Sequence, residues 1–330
     1  MNMSETNNVP QVAITSHQGS RGDENDDHAA WFAVARPDRQ WLVHVGVVAD
    51  GVTSTKGGAQ ASRIATEAIE ASLRDLPDAQ ETISEWLATA IGHANEEIRY
   101  EGKRNPEWQG MSTTVVVAAL AGNRLYVLHL GDSRAYLIRA GQLHQLTTDH
   151  TWAQAAVAAG TLTASEAAHH PGRNQLQRYL GGSKQINVAR GVLAPGSGHP
   201  EEYLLVQPGD QVLLCSDGIY HRLEPATMAA IINKAPADPK RVVDDLIAAA
   251  IAQGEIDDIT ALLFTVPAQQ NSFAADQFRP HAATDSDVTV PVGNQPLVLP
   301  PSATRWTLRE VGLIIAVVIF IVVAIYLLGY

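Results

Sequence analysis

From about residue 9 to residue 266, strand-length apolar runs alternate with amphipathic stretches. Runs rich in Val, Ile, Leu and Ala occupy 31–35, 42–48, 113–120, 125–130, 135–138, 211–215 and 259–266, and each predicts a β-strand. Ala121-Gly122-Asn123, between two of these runs, predicts a hairpin, and Ala140-Gly141 predicts a turn. Helical spacing links Ile64, Ala68, Ile69 and Leu73, then Ile83, Leu87, Ile91, Ala94 and Ile98. A third helix carries Val242, Val243, Leu246 and Ile247 behind Pro239, a residue suited to the first helical position. Paired helices fall between blocks of strands rather than alternating strictly with single strands. That order predicts an α+β fold of packed antiparallel sheets, not a doubly wound one.

Beyond residue 267 the pattern changes. Residues 268–307 are rich in Pro, Gln, Ser, Thr, Asp and Ala without sustained periodicity, which predicts a flexible linker. The segment from Val311 to Leu328 is almost purely apolar and uncharged. With its flanks it reaches the about 20 residues a spanning helix needs, so a transmembrane helix is expected over 308–328. Arg305 and Arg309 precede it, and Trp306 and Tyr330 suit the two interfaces. Positive charge on the N-terminal side predicts a single-pass cell-membrane protein whose bulk faces the cytoplasm. Residues 1–9 are polar, lack the apolar stretch of a secretory signal and are expected to be disordered. The globular domain is therefore expected over 10–267.

Composition narrows the function. A net charge of -12 argues against nucleic-acid binding. The single cysteine, Cys215, rules out an intrachain disulfide and reads as a small buried apolar residue. The acidic surplus is not evenly spread. Asp26-Asp27 precedes the first strand, Asp50-Gly51 ends the second, and Gly131-Asp132-Ser133-Arg134 follows 125–130. Ser216-Asp217-Gly218 ends 211–215, and Asp257-Asp258 opens the last strand. One such Asp is ordinarily a turn residue or helix cap. Five such sites in one domain point to carboxylates gathered at a sheet edge, where they repel one another unless cations neutralise them. Oxygen ligands suit magnesium or manganese, and no His or Cys cluster has zinc-like spacing.

The motifs resemble those of the metal-dependent protein phosphatases, the protein phosphatase 2C family, and its bacterial branch in particular. They occur in family order: Ser16-His17-Gln18-Gly19 with Asn25-Asp26-Asp27, Val48-Ala49-Asp50-Gly51-Val52, and Gly110-Met111-Ser112-Thr113-Thr114. Gly131-Asp132-Ser133-Arg134-Ala135, Leu146-Thr147-Thr148-Asp149-His150-Thr151, Leu214-Cys215-Ser216-Asp217-Gly218 and Asp257-Asp258-Ile259-Thr260 follow. The resemblance covers residues 10 to 266 and implies a central β-sandwich with helices on both outer faces, a four-layer αββα arrangement. It implies hydrolysis of phosphoserine and phosphothreonine in proteins by a metal-activated water, with two or three Mn2+ or Mg2+ ions. By the same resemblance Asp50 bridges two ions. The Gly51 carbonyl and Asp26 contact one, and Asp217 and Asp257 hold the other. Asp27 supports the cluster, and Asp132 serves a third ion with Asp217. Arg21 is the candidate phosphate clamp, and 148–182 corresponds to the family's flap, the natural place for substrate selection. Implied partners are phosphorylated proteins and a Ser/Thr kinase that the enzyme opposes.

This chain departs from the family pattern at several points. The family's arginine aligns with Gly22, one residue after Arg21. His17 stands where many bacterial members carry Asp, Asp26 replaces a common Glu, and Asp258 replaces a usual Asn. Val52 occupies the place of a His proposed as general acid in some relatives, so another group must protonate the leaving oxygen. Two other functions compete with this reading: a silent phosphoprotein-binding scaffold, and a metal phosphatase for small phosphate esters.

Overall fold

A computed structural model describes residues 9–36, 41–75, 82–197 and 199–268. The expected linker, but for Ala268, the spanning helix over 308–328 and the N-terminal tail, but for Val9, lie outside the described residues. Among the described residues no helix is long and apolar enough to cross a membrane. One sheet runs in the order β1 (Val12–His17), β11 (Ile259–Thr265), β10 (Gln211–Cys215), β6 (Arg134–Arg139) and β7 (Gln142–Gln145). The other runs β2 (Asp27–Arg36), β3 (Trp41–Asp50), β4 (Val115–Ala121) and β5 (Arg124–Leu130), with short β8 (Ala189–Arg190) and β9 (Leu204–Leu205) both pairing with β5. All pairings are antiparallel.

Side-chain alternation builds the layers. Successive strand residues face opposite ways, so a strand apolar at every position is buried on both faces. In β4, Val115, Val117, Ala119 and Ala121 pack under helices α1 (Gly58–Asp75) and α2 (Ile83–Arg104), while Val116, Ala118 and Leu120 face the other sheet. In β10, Leu213 and Cys215 pack under α7 (Pro239–Ala252), while Val212 and Leu214 point between the sheets. In β11, Leu263 faces the helix and Leu262 and Phe264 face inward. Three apolar layers result, and with them the four-layer order of helices, sheet, sheet and helices. Each fully buried Val, Leu or Phe contributes roughly 1.5–3 kcal/mol.

Local signals fix the element ends. α2 opens on a capping box: the Thr82 hydroxyl accepts from Glu85 N at 3.2 Å and the Glu85 carboxylate accepts from Thr82 N at 2.9 Å. Pro239 opens α7 behind the capping carboxylate of Asp238. Gly122 and Asn123 link Ala121 to Arg124, the hairpin expected from sequence. Ala140 and Gly141 turn β6 into β7 with φ of +50° and +77°. A left-handed conformation costs an alanine about 1 kcal/mol, and Asn-Gly is the pair such a turn prefers. Ala140→Asn is therefore expected to stabilise the fold by about 0.5–1 kcal/mol, read as a higher urea midpoint at unchanged slope.

Candidate active site

The alternation that layers the core also positions the carboxylates. The rows facing between the sheets run two residues at a time to one edge: Val48 to Asp50, Val116 to Thr114, Ala135 to Ser133, Leu214 to Ser216 and Leu262 to Thr260. There the apolar rows end in polar residues that tie the sheets together. The Thr114 and Ser133 hydroxyls lie 2.6 Å apart. The Ser216 hydroxyl donates to Asp27 Oδ2 at 2.7 Å and accepts from Thr260 N at 2.9 Å. Asp27 is directly opposite Asp50 in the β2–β3 register, so two carboxylates share one face of an antiparallel pair. Like charges placed so are destabilising on their own.

The Asp50 backbone is held on both sides. Its carbonyl accepts from Thr114 N and from the Thr113 hydroxyl, each at 2.8 Å, and its N–H donates to the Thr114 hydroxyl at 3.1 Å. Gly51 must be glycine, because a Cβ there would collide with the backbone of Gly58. Gly131, just before Asp132, has φ of +115°, and a Cβ on it would lie 2.6 Å from the Thr114 Cβ. His150 Nδ1 accepts from Gly131 N at 3.1 Å and His150 N donates to Gly131 O at 2.9 Å, fixing the same turn.

Burial and mutual repulsion raise the carboxyls. Asp50 is pushed well above the usual carboxylate range by burial and then by the fields of Asp27, Asp217, Asp132 and Asp257. Asp27 is pushed up to about 8, chiefly by burial. Asp132 is raised by burial and by Asp217, and Asp257 rises to about 6 through burial and Asp217. Asp217 is raised by burial, with His221 and Arg21 working against it.

Arg21 reaches this cluster although it sits one position before the family's arginine. Its guanidinium lies 2.6 Å from Asp257 Oδ2 and donates to the Thr53 hydroxyl at 3.3 Å, with about half of the side chain exposed at 47%. Its loop is anchored from behind: Ser20 N and Arg21 N both donate to Ile256 O. Asp258 accepts from Gly19 N at 2.8 Å and from Asp26 N at 2.6 Å. The extra negative charge beside Asp257 thus clamps two backbone segments rather than facing the centre. The Asp26 carboxylate packs against Gly58 at the start of α1 and takes hydrogen bonds from the Ala59 backbone and the Thr53 hydroxyl. It works as a helix cap there, which fits its shorter reach than Glu. His17 is exposed at the end of β1. Cys215 is buried with its thiol pushed up to about 12 by burial, an inert group. In the flap, His169 bonds Ser165 O while His170 stacks on Trp152 at 4.0 Å, so these neighbours point to different partners.

Two residues not singled out from sequence belong to the site. α5 is a single turn, Asp217–Tyr220. The Tyr220 hydroxyl donates to Asp132 O at 2.8 Å, and His221 Nδ1 lies 3.3 Å from Asp217 Oδ2. Their positions three and four residues after Asp217 were the available signal.

The donor set fits hard divalent cations. Asp27 Oδ1 is buried without a hydrogen-bond partner, and the carboxylates around Asp50 are all oxygen donors held against their own repulsion. Among the described residues no three His, Cys, Asp or Glu side chains converge tightly enough to enclose an ion by themselves. The all-oxygen character of these donors suits manganese or magnesium, whereas zinc sites are built from Cys and His.

Comparisons with known proteins agree. The protein phosphatase 2C family model matches residues 15–245, a span that ends before Asp257. The serine/threonine phosphatase stp of Listeria innocua is 30% identical over 241 residues, covering 72% of this chain and 89% of that protein. The crystal structure of the Mycobacterium tuberculosis serine/threonine phosphatase PstP/Ppp superposes with a TM-score of 0.64 at 28% identity, covering 78% of this chain and 99% of that one. The catalytic domain of PstP in complex with two manganese ions gives a TM-score of 0.61 at 27% identity, covering 78% of this chain and 99% of that one. The family uses Mn2+ or Mg2+, and the carboxylate edge built here is of that kind. This chain belongs to the protein phosphatase 2C family and is a serine/threonine phosphatase of that class.

Proposed function

We propose that the protein hydrolyses phosphoserine and phosphothreonine in proteins at the carboxylate edge, using two manganese or magnesium ions, with a third held at Asp132. The observation that carries this reading is the placement of Asp27 directly opposite Asp50 at one sheet edge, with Ser216, next to Asp217, bonded to Asp27. Asp50, the Gly51 carbonyl, Asp217 and Asp257 would hold the ions, and Asp26, whose carboxylate caps α1, would reach one through a water. When bound, the ions acidify a water and neutralise the phosphoryl oxygens. Asp27 orients the cluster through Ser216. The clamp by Thr113 and Thr114 keeps Asp50 from swinging away from its neighbours. Arg21 places two N–H groups at the mouth and orients the phosphate by a bidentate contact. No protein nucleophile is required, in keeping with the inert Cys215.

Arg21→Ala is expected to raise KM for a phosphothreonine peptide roughly ten- to hundred-fold, the loss of a charge-assisted hydrogen-bond pair, with a smaller effect on kcat. An unchanged KM would remove Arg21 from substrate binding. Preference for the phosphopeptide over a sugar phosphate distinguishes a protein phosphatase from a small-ester enzyme. The charge-free run up to Leu328 behind Arg305 and Arg309 supports a membrane tether with the catalytic domain on the cytoplasmic side, opposing a Ser/Thr kinase. Recovery of the full chain in the soluble fraction would contradict the tether.

A further inference from the structure

One side chain beside the metal-ligand cluster also meets the flap and is unused by the phosphatase reading. His221 follows α5 and is partly exposed. Its Nδ1 lies 3.3 Å from Asp217 Oδ2 and its Nε2 lies 3.2 Å from Asn174 Nδ2. Nδ1 faces the Asp217 carboxylate at ion-pair distance. An amide nitrogen donates, so Nε2 accepts from Asn174.

Asn174 sits in the flap just before two anchored positions. Trp152 N donates to Gln175 O, and further on Leu180 and Thr113 exchange both backbone hydrogen bonds. Thr113 in turn holds the Asp50 carbonyl. The buried Asn95 fixes the flap's return by accepting from Gly181 N at 2.8 Å and donating to Ser183 O at 2.9 Å. These anchors set the flap's base, while the Asn174 side chain joins it to Asp217.

We propose that His221 is a positioning residue that couples the flap to Asp217, so that where the flap sits and how Asp217 is oriented are one variable. The proposal rests on the reading of Asp217 as a metal ligand. A side chain held against a carboxylate that would hold a metal restricts its direction, and loss of such a partner costs about tenfold or more in metal affinity. Asn174 touches no ligand and influences the metal only by holding His221. A protein substrate resting on the flap then acts on Asp217 through the same pair, and by linkage the effect is reciprocal.

The test is manganese affinity of the full chain by calorimetry for the wild type, Asn174→Ala, His221→Ala and the double variant, with KM and kcat on a phosphothreonine peptide. His221→Ala is expected to weaken manganese binding about tenfold. Asn174→Ala is expected to weaken it in the same direction by a smaller factor, and the double variant to match His221→Ala. Asn174→Ala should also raise KM more than it lowers kcat. Asn174 is an exposed surface residue, so this variant stays readable if His221→Ala folds poorly. Manganese affinity unchanged in Asn174→Ala, or full additivity in the double variant, overturns the coupling while wild-type turnover leaves the phosphatase reading intact. A wild-type chain that neither binds manganese nor releases phosphate overturns both.

Discussion

Asp50→Asn is expected to lower phosphate release from a phosphothreonine peptide by at least about 10³-fold while leaving the fold in place. Asp50 lies directly opposite Asp27 and in the fields of Asp217, Asp132 and Asp257, so its loss removes the carboxylate at the centre of the proposed ion site. An amide keeps the volume and the backbone clamp, and the Thr113 and Thr114 contacts go to the Asp50 backbone, not its side chain. The change also removes one of two charges facing each other across β2 and β3. Chelated Asp50→Asn should therefore melt no lower than chelated wild type, a sign opposite to that expected for losing an ordinary buried, satisfied carboxylate. Circular dichroism melts of both proteins in chelator, beside steady-state kinetics in manganese, check the two halves. Retained turnover in the variant would take Asp50 out of the reaction.

The second large effect is on stability against pH. Carboxyls raised in the folded state bind protons there that the unfolded chain has already released. The contribution of these carboxyls to the stability of the chelated protein is therefore fully present below about pH 3.8 and is lost as pH rises through their raised values. For Asp257 the loss runs from the ordinary value of 3.8 to about 6, and for Asp27 from 3.8 to about 8. Asp50 and Asp132, also raised, add in the same direction. Each unit of raised pKa is worth up to roughly 1.4 kcal/mol, so the drop between pH 5 and pH 8 should be visible as a melting-temperature decrease. Manganese favours the ionised carboxylates and is expected to flatten or reverse that slope. Melting curves from pH 5 to pH 8, with chelator and with manganese, measure it. A chelated protein that gains stability over this range would mean that the carboxylates are not held against one another.

Much of this architecture was legible in the sequence. Runs apolar at every position, such as 115–121, announced strands buried on both faces, and β3, β4, β5, β10 and β11 fall where those runs lie. Pro239 and the spacing of Val242, Leu246 and Ile247 announced α7. What escaped lacks that signature. β1 is an edge strand with only Ala13 fully buried, so Val12–His17 shows no apolar run. β8 and β9 are two residues each, defined by pairing with β5 rather than by their own pattern. α3 (Trp152–Ala158) and α4 (Ala164–Ala168) are too short to show a period, although Thr163 and Glu166 form a capping box.

At the site, parity carries Asp27 and Asp50 to one edge on inward rows, while Asp132 and Asp217 sit one residue off such rows. Asp258 and Asp26 show the limit of that logic. Both lie beside the cluster, yet one clamps the Gly19 and Asp26 backbone and the other caps α1, and only the fold distinguishes such roles from a carboxylate facing Asp50. Tyr220 and His221 were overlooked for a related reason. Their meaning lies in Asp132 and Asn174, which are remote along the chain. Arg21 shows the converse: a one-residue offset in sequence is absorbed by a loop pinned at Ile256, and the guanidinium still arrives at Asp257.

The central claim is hydrolysis of a phosphoprotein substrate by a cation-dependent carboxylate edge. It is tested most directly by phosphate release from a phosphothreonine peptide by the full chain in manganese, in excess chelator, and after manganese is restored. The account predicts turnover that chelator abolishes and restored manganese returns. Turnover that survives chelation, or none from folded protein shown by calorimetry to bind manganese, would contradict it.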